Sequence, residues 1–463
     1  MSGEPVINLF ESKIHFEVES KKRFVIDLFA GCGGLATGLE LAGFNPALVC
    51  EIDQDARQSY LMNRFSWLGN KPFKDLEEFH YADAHELDNR RINLIKKKLS
   101  ILEPELTFGS GKRSTLDLVC GGPPCQGFSG IGIRRSYAVD KRDLPANQLY
   151  DQMASIIEAF NPKIFLFENV RGILTGRWSR EDGAGRIWTD VWNRFSNLKG
   201  YEVRWSLVKA KDYGVPQNRP RVLIVGIRKD IYRAINLPKL MTEDAVESGF
   251  LPLPFHNAPD PEDLLSDLVD PQIESDLKSQ QFRKPFATTR YKSTFTNPIQ
   301  KWFRTKPDGT SLEKGSSVSE HEYSRHAKRI VDKFALMIEG ADLPEEMQTK
   351  KFAQRVLPRK WGEAGPTITA TSLPDDYVHY CQARSLTVRE WARLQMFPDW
   401  YQFAGKRTTG GLRRAGNPVE GQFDRETPKY TQIGNAVPVG LAYAVGIHFL
   451  KLLEESENEE SSR

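Results

Sequence analysis

The sequence predicts an α/β fold built on a mostly parallel sheet, and three observations predict it. Short runs that are apolar on both faces recur through the first half: KRFVIDLFA, PALVCEID, LDLVCGG, KIFLFENV, SLVKA and RVLIVGIR. Helix-like stretches, LATGLELAGF and QDARQSYLMNRF, follow the first two of them. The strongest runs end in loops that carry glycine, proline or an acid. Strands apolar on both faces belong to a parallel sheet covered by helices on each side.

Composition bounds what such a chain does. With 463 residues, 40% hydrophobic and 27% charged, it has ordinary globular usage, which excludes wholesale disorder. Length suggests about two to three domains. Mean hydropathy is −0.48, and no apolar run approaches the roughly 20 residues of a membrane helix. The start, MSGEPVINLFESKIHFEVES, is acidic and lacks the basic-then-apolar order of a signal peptide. Cysteines 32, 50, 120, 125 and 381 form no CxxC pair and no metal-ligand spacing. That pattern predicts a reducing cytoplasm and no metal site. A net charge of +3 permits a nucleic-acid partner without requiring one.

The α/β pattern occupies residues 20–235 and returns over 384–452, where SLTVREWARLQMFP reads as an amphipathic helix stopped by Pro398. Between them, 236–383 is less regular. It is acidic over 240–280 and then basic and aromatic over 281–306, with Arg283, Lys284, Arg290, Lys292, Lys301, Arg304 and Lys306 among Phe282, Phe286, Tyr291, Phe295, Trp302 and Phe303. Such a stretch suits phosphate and groove contacts. The acidic tail, 453–463, is expected to fray.

Five motifs carry chemistry. DLFAGCGG places Gly31 and Gly33 in a turn between a strand and a helix, where backbone N–H groups approach a ligand. Glu51 follows Gly31 by 20 residues, at the end of the next strand, where an acid holds ribose hydroxyls. The spacing is not GxGxxG, so it favours an adenosyl ligand without a pyrophosphate. GGPPCQGFS follows a strand, and Pro123 and Pro124 fix the chain before Cys125, the arrangement of a rigidly held thiol nucleophile. FENV puts Glu168 at the sheet mouth as a candidate acid of raised pKa, with Asn169 orienting a neighbouring loop. QNRPRV puts Arg219 and Arg221 two apart, on one face of an extended segment. QIGNAVP offers Gly434 and Asn435 as the start of the last helix. Each has a plain alternative: a tight turn, a buried cysteine, a helix cap or a solvated charged face.

Taken in order, DLFAGCGG, GGPPCQGFS, FENV, QNRPRV, LTVREWARLQMFP and QIGNAVP resemble the DNA (cytosine-5) methyltransferases, most closely the bacterial restriction–modification type. The resemblance covers roughly 24–230 and 384–450 and leaves 236–383 as the target-recognition region. It implies an S-adenosylmethionine methyltransferase fold, Rossmann-like, with a smaller second domain and double-stranded DNA in the cleft between them. It implies Cys125 as nucleophile, Glu168 as the acid at cytosine N3, and Arg221 as a pocket arginine with Arg219 beside it. It implies Phe29, Gly31, Gly33, Glu51, Asp83, Pro124, Asn435 and Val437 at the cofactor. A monomer would suffice for the reaction, and whether a cognate restriction endonuclease serves as functional partner is left open by the sequence. Two departures stand out: Cys32 lies inside the glycine turn, and about 30 residues, Phe403 to Tyr430, part the last two motifs. That segment is basic early, with Lys406, Arg407, Arg413 and Arg414.

The chemistry stands without the name. Thiolate addition at C6 of cytosine makes C5 electron-rich, and the base must first leave its stack. A tRNA cytosine-5 methyltransferase, a silent nucleic-acid binding protein and a thymidylate-synthase-like enzyme are the rival readings. The long insert favours duplex DNA over tRNA, and the intact Cys125, Glu168 and Arg221 favour an enzyme. Glu51 with the glycine turn disfavours the thymidylate synthase.

Overall fold

Strands β1 (Arg23–Leu28), β2 (Phe44–Cys50), β3 (His80–Tyr81), β4 (Leu118–Gly121), β5 (Ile164–Val170), β6 (Tyr201–Lys209) and β7 (Pro220–Arg228) form one sheet in the order β3-β2-β1-β4-β5-β7-β6. This computed structural model describes residues 21–109, 113–124, 148–238, 240–255, 258–348, 354–360, 366–369, 376–409 and 426–461. The pairs among β1 to β5 are parallel, and β7 runs antiparallel to both β5 and β6. The sequence pattern alone treats the last two strands as more of the parallel set. Only ten residues, 210–219, join β6 to β7, too few for a parallel crossover of a dozen or more. The reversal matters, because it brings the start of β7 to the edge where the parallel strands end.

Helices cover both faces. On one lie α2 (Gln54–Met62), α3 (Asn89–Leu102), α4 (Leu149–Phe160) and α5 (Arg186–Ser196), whose buried Tyr60, Ile92, Ile95, Met153, Ile157, Ile187 and Val191 join one apolar core. On the other lie α1 (Gly34–Ala42), α6 (Lys229–Ala234) and the last helix, Val439–Ser461. That helix crosses α1 at glycines. A Cβ on Gly38 would come within 2.5 Å of Ala442 Cβ, so only glycine permits this approach. By length and composition the run Lys429–Glu459 would also cross a membrane. Here 67% of its most apolar window is buried inside the fold, as in a core helix.

Through Ser461 the tail is helical rather than frayed. The last helix continues to Ser461, and Glu457 accepts from Arg23 Nη1 (2.7 Å), Arg23 Nη2 (2.9 Å) and Lys21 Nζ (2.8 Å). Partial burial works against the Glu457 carboxylate, but these donors outweigh it and hold the group at about 2, against 4.5. A depressed carboxyl adds stability above its unfolded pKa and loses it as pH falls through the folded one. The pair is partly exposed, so solvent screening leaves about 1 kcal/mol. Glu457→Gln is therefore expected to melt about 1 °C lower at pH 7. The difference should shrink as pH falls from 4.5 toward 2; equal melting at pH 7 would mean the tail is not anchored.

The insert folds onto the second half of the body. Its helices are α7 (Pro261–Leu265), α8 (Gln272–Ser279), α9 (Pro298–Arg304) and α10 (Lys328–Glu339), and the segment after it forms α11 (Val388–Leu394). Leu264, Leu265 and Phe303 share a core with Trp391, Leu394 and Phe397. Arg393 binds Asp267 (2.5 Å) and Asp399 (2.6 Å), Arg304 binds Asp267 (2.6 Å), and Tyr291 donates to Asp399 (2.6 Å), all buried. The acidic and basic stretches thus partly neutralise each other inside the fold. Arg304 lies over the Tyr291 ring at 3.8 Å and Arg283 pairs with Asp270 at 2.8 Å. Lys284, Arg290, Lys292 and Lys301 remain exposed. In the later segment Lys406 pairs with Glu426 (3.0 Å), and Arg407 donates to the Glu322 and Tyr323 carbonyls (each 3.3 Å). Arg413 and Arg414 lie outside the described residues.

Candidate active site

One lip of the site grows from β1 and β2. After Leu28 the chain is left-handed at Phe29 (φ 56°), Gly31 (φ 55°) and Gly33 (φ 88°). Glycine adopts that conformation freely, whereas Phe29 holds it as a strained residue at the strand end. A Cβ on Gly31 would meet nothing within 4 Å, so the turn faces open space. Gly31 N donates to Glu51 Oε2 (2.7 Å) and Asp53 N to Glu51 Oε1 (2.8 Å). Burial pushes the Glu51 carboxyl above its usual range, and these two N–H groups oppose the shift. Next to it Ile52 is 71% exposed, a bare apolar side chain that sequence reading passed over as one more residue of a strand.

Asp83 stands near Glu51, because β3 pairs with the end of β2 and Glu51 N donates to Tyr81 O (3.0 Å). Its carboxylate accepts from His85 N (2.9 Å) and lies 2.8 Å from His85 Nδ1, which caps a short turn. Despite some desolvation, these donors pull its pKa down. Asn435 is exposed, and it closes the short helix α12 (Lys429–Asn435). The last helix, α13 (Val439–Ser461), starts four residues later, after Pro438. Sequence reading had the glycine–asparagine pair open that helix; Ala436 to Pro438 break the path instead. The Val437 carbonyl sits against Gly34, where any Cβ would overlap it. Both ends of the chain therefore meet at this lip.

The opposite lip is formed by β4, β5 and β7. Gly122, Pro123 and Pro124 leave β4 alongside the end of β5; Cys125 lies outside the described residues. Asn169 Nδ2 donates to Pro123 O (3.1 Å), and Asn169 Oδ1 accepts from Val170 N (2.8 Å). A Cβ on Gly122 would stand 2.7 Å from Glu168 Oε2, so the missing side chain makes room for this carboxylate. Register pairs Val170 with Arg221, and Arg221 Nε reaches Glu168 Oε1 at 2.5 Å. Burial pulls the Arg221 guanidinium below its usual range, and Glu168 opposes that. Arg219 goes elsewhere. Its guanidinium donates to the carbonyls of Ile368, Gly434 (2.7 Å) and Asn435 (3.3 Å). The two arginines do not share one ligand-facing side, because Arg219 lies in the turn before β7 begins.

Beneath the glycine turn is a buried polar floor that sequence reading missed. Arg64 pairs with Glu40 (2.5 Å), donates to Thr37 Oγ1 (2.9 Å) and covers the Tyr60 ring at 4.3 Å. Tyr401 Oη donates to Cys32 O. Asp27, one residue from the end of β1, is pushed up to about 7 by burial, against the pull of Arg64 and the Cys120 thiol. Its one visible signal was an acid inside an apolar strand. The Cys32, Cys50 and Cys120 thiols are buried and raised for the same reason. Their Sγ atoms meet Gln432 O, Ala82 O and Asp27 Oδ1. Among the described residues no cluster of three His, Cys, Asp or Glu is placed to hold a metal.

The glycine turn suits an adenosyl cofactor. It presents open space, a fastened carboxylate and an exposed apolar side chain. Residues 24–451 match the model of the C-5 cytosine-specific DNA methylases. The chain is 32% identical to the Type II methyltransferase M.DdeI of Desulfomicrobium norvegicum, covering 91% of this chain and 87% of that one. It is 30% identical to the Type II methyltransferase M.BsuRI of Bacillus subtilis, covering 94% and 80%. A crystal structure described as a DNA modification methyltransferase encoded within an E. coli prophage superposes with a TM-score of 0.60 at 23% identity, covering 94% and 100%. That likeness speaks for the fold, an S-adenosylmethionine-dependent methyltransferase sheet. By its match over nearly the whole length the chain belongs to the C-5 cytosine-specific DNA methylases, and is an S-adenosylmethionine-dependent DNA cytosine-5 methyltransferase.

Proposed function

We propose that the enzyme methylates C5 of a cytosine turned out of a specific duplex sequence, through a covalent bond between Cys125 and C6. The Glu168–Arg221 ion pair, set beside the Gly122–Pro124 path that leads to Cys125, is the observation that carries this reading. Glu51, Phe29, Gly31, Gly33, Asp83, Pro124, Asn435 and Val437 hold S-adenosylmethionine, with Ile52 as an apolar platform. When bound, it supplies an electrophilic methyl group.

The residues of the chain do the rest. Cys125 thiolate adds to C6 and pushes electrons toward C5. Glu168 hydrogen-bonds N3 and stabilises the charge that develops in the ring, and Arg221 fixes Glu168 in place. Asn169 holds the Pro123 carbonyl, two residues before the nucleophile. Once C5 carries the methyl group, a base takes the C5 proton and the thiolate leaves. Residues 236–383 act as the target-recognition region, and 20–235 with 384–452 as the catalytic body. Arg219 is assigned a bracing part rather than contact with the base.

The same reading makes the chain the protective half of a restriction–modification pair with a cognate endonuclease, working as a cytoplasmic monomer. Bisulfite sequencing of DNA from cells that express the chain is expected to reveal full methylation of one short sequence. Tritiated methyl transfer should proceed on duplex DNA and not on tRNA. Methyl transfer to tRNA alone would replace this reading with the tRNA one.

A further inference from the structure

Segments far apart in the chain meet just before Arg221, and buried amides join them. Gln217 and Gln395 are both 0% exposed. Gln217 Nε2 donates to Leu394 O and to Gln395 Oε1, each at 2.8 Å, and its Oε1 accepts from Ile368 N at 3.1 Å. Gln395 Nε2 donates onward to Ile433 O at 2.7 Å. These orientations are forced. Turning over the Gln217 amide would face its oxygen with two acceptors and its NH2 with the Ile368 N–H.

The next two residues grip the same segment. Asn218 N donates to Pro366 O (2.9 Å), Thr367 Oγ1 donates to Asn218 O, and Arg219 donates to Ile368 O. Arg219 is 1% exposed, and its hydrogen bonds go to main-chain carbonyls of Ile368, Gly434 and Asn435. Residues 366–368 thus run fastened along 217–219, at the root of β7 and a few residues from the Glu168–Arg221 pair. Residues 366–369 lie near the end of the insert, and nothing in the sequence pairs them with QNRPR.

We propose that Gln217 is a positioning residue that holds the 366–369 segment in register with the Glu168–Arg221 pair, so that target reading and placement of the base are aligned through one side chain. The inference rests on the reading of that pair as the base pocket and of 236–383 as the target-recognition region. Removing the amide strands the buried Ile368 N–H and frees the segment to shift. Small displacements of this kind cost rate when reacting groups must be aligned.

The test uses the full chain with Gln217→Met, which keeps volume and removes all three hydrogen bonds. Thr367→Val removes one bond at the less buried end of the same seam, and decides the matter if Gln217→Met does not fold. S-adenosylhomocysteine binding is measured by calorimetry. Single-turnover methylation is measured on the preferred duplex and on duplexes with one base pair changed. Gln217→Met is expected to bind S-adenosylhomocysteine within about threefold of the parent, while the preferred-site rate and its preference over altered duplexes each fall about tenfold or more. Thr367→Val should move both the same way, by about threefold.

Rates and preference within about twofold of the parent in a folded variant overturn the proposal. So does a loss of cofactor binding that matches the loss of rate, since that marks general loosening. A fault in the base-pocket reading shows separately, as Glu168→Gln and Arg221→Lys enzymes that keep the full parental rate.

Discussion

Cys125→Ala is expected to abolish methyl transfer to duplex DNA, a loss of at least about 10³-fold, with S-adenosylhomocysteine and DNA still bound. The reason is electronic. C5 of cytosine is a poor nucleophile until something adds at C6, and alanine offers no atom to add. The other four cysteines do not substitute. Cys32, Cys50 and Cys120 are buried, face carbonyl or carboxylate oxygens, and have thiols raised by burial. Cys381 is raised too and sits by His379, near the end of the insert. Labelled methyl recovered on cytosine with the alanine enzyme would place the nucleophile elsewhere.

Glu168→Gln carries the second largest expected effect, a fall of about 10²-fold in the single-turnover rate. Glutamine keeps the shape beside Gly122 and keeps an oxygen facing Arg221 Nε. It loses the negative charge that the buried guanidinium faces at 2.5 Å, and with it the carboxyl group proposed to meet N3. Cofactor binding should stay unchanged, because Glu51 and the glycine turn belong to the other lip. Glu168→Ala goes further. It leaves Arg221 buried with the Pro220 carbonyl as a partner, and an uncompensated buried charge costs about 3–5 kcal/mol of stability. A chemical step that proceeds at the parental rate in the glutamine enzyme would remove Glu168 from the mechanism.

Much of this architecture was legible because it is local. Apolar runs marked β1, β2, β4, β5 and β7, and strand ends marked where Glu51, Glu168 and Pro124 emerge. The 20-residue spacing from Gly31 to Glu51 becomes a 2.7 Å hydrogen bond. What was not legible depends on partners distant in sequence. Arg219 looked like a twin of Arg221, yet it binds carbonyls some 215 residues away. The direction of β7 followed from a short connection that periodicity does not register. The basic run 281–306 carried the charge of a DNA-binding surface, while Asp267 claims Arg304 for the core and Asp270 pairs with the half-buried Arg283. Glu457 looked like one acid among several in a loose tail, and its place is set by Arg23, 434 residues earlier. Charge and polarity announce that a residue needs a partner; only the fold says which.

The central claim is that a sulfur at position 125 bonds to the pyrimidine ring while the base lies outside the helix. The direct measurement offers the enzyme, with S-adenosylmethionine, a duplex carrying 5-fluorocytosine at the target. Fluorine at C5 cannot leave as a proton does, so the complex should persist through denaturing electrophoresis. Its cross-linked peptide should be the one that contains Cys125. A methylating enzyme that gives no stable complex, or one linked through another residue, would contradict the account.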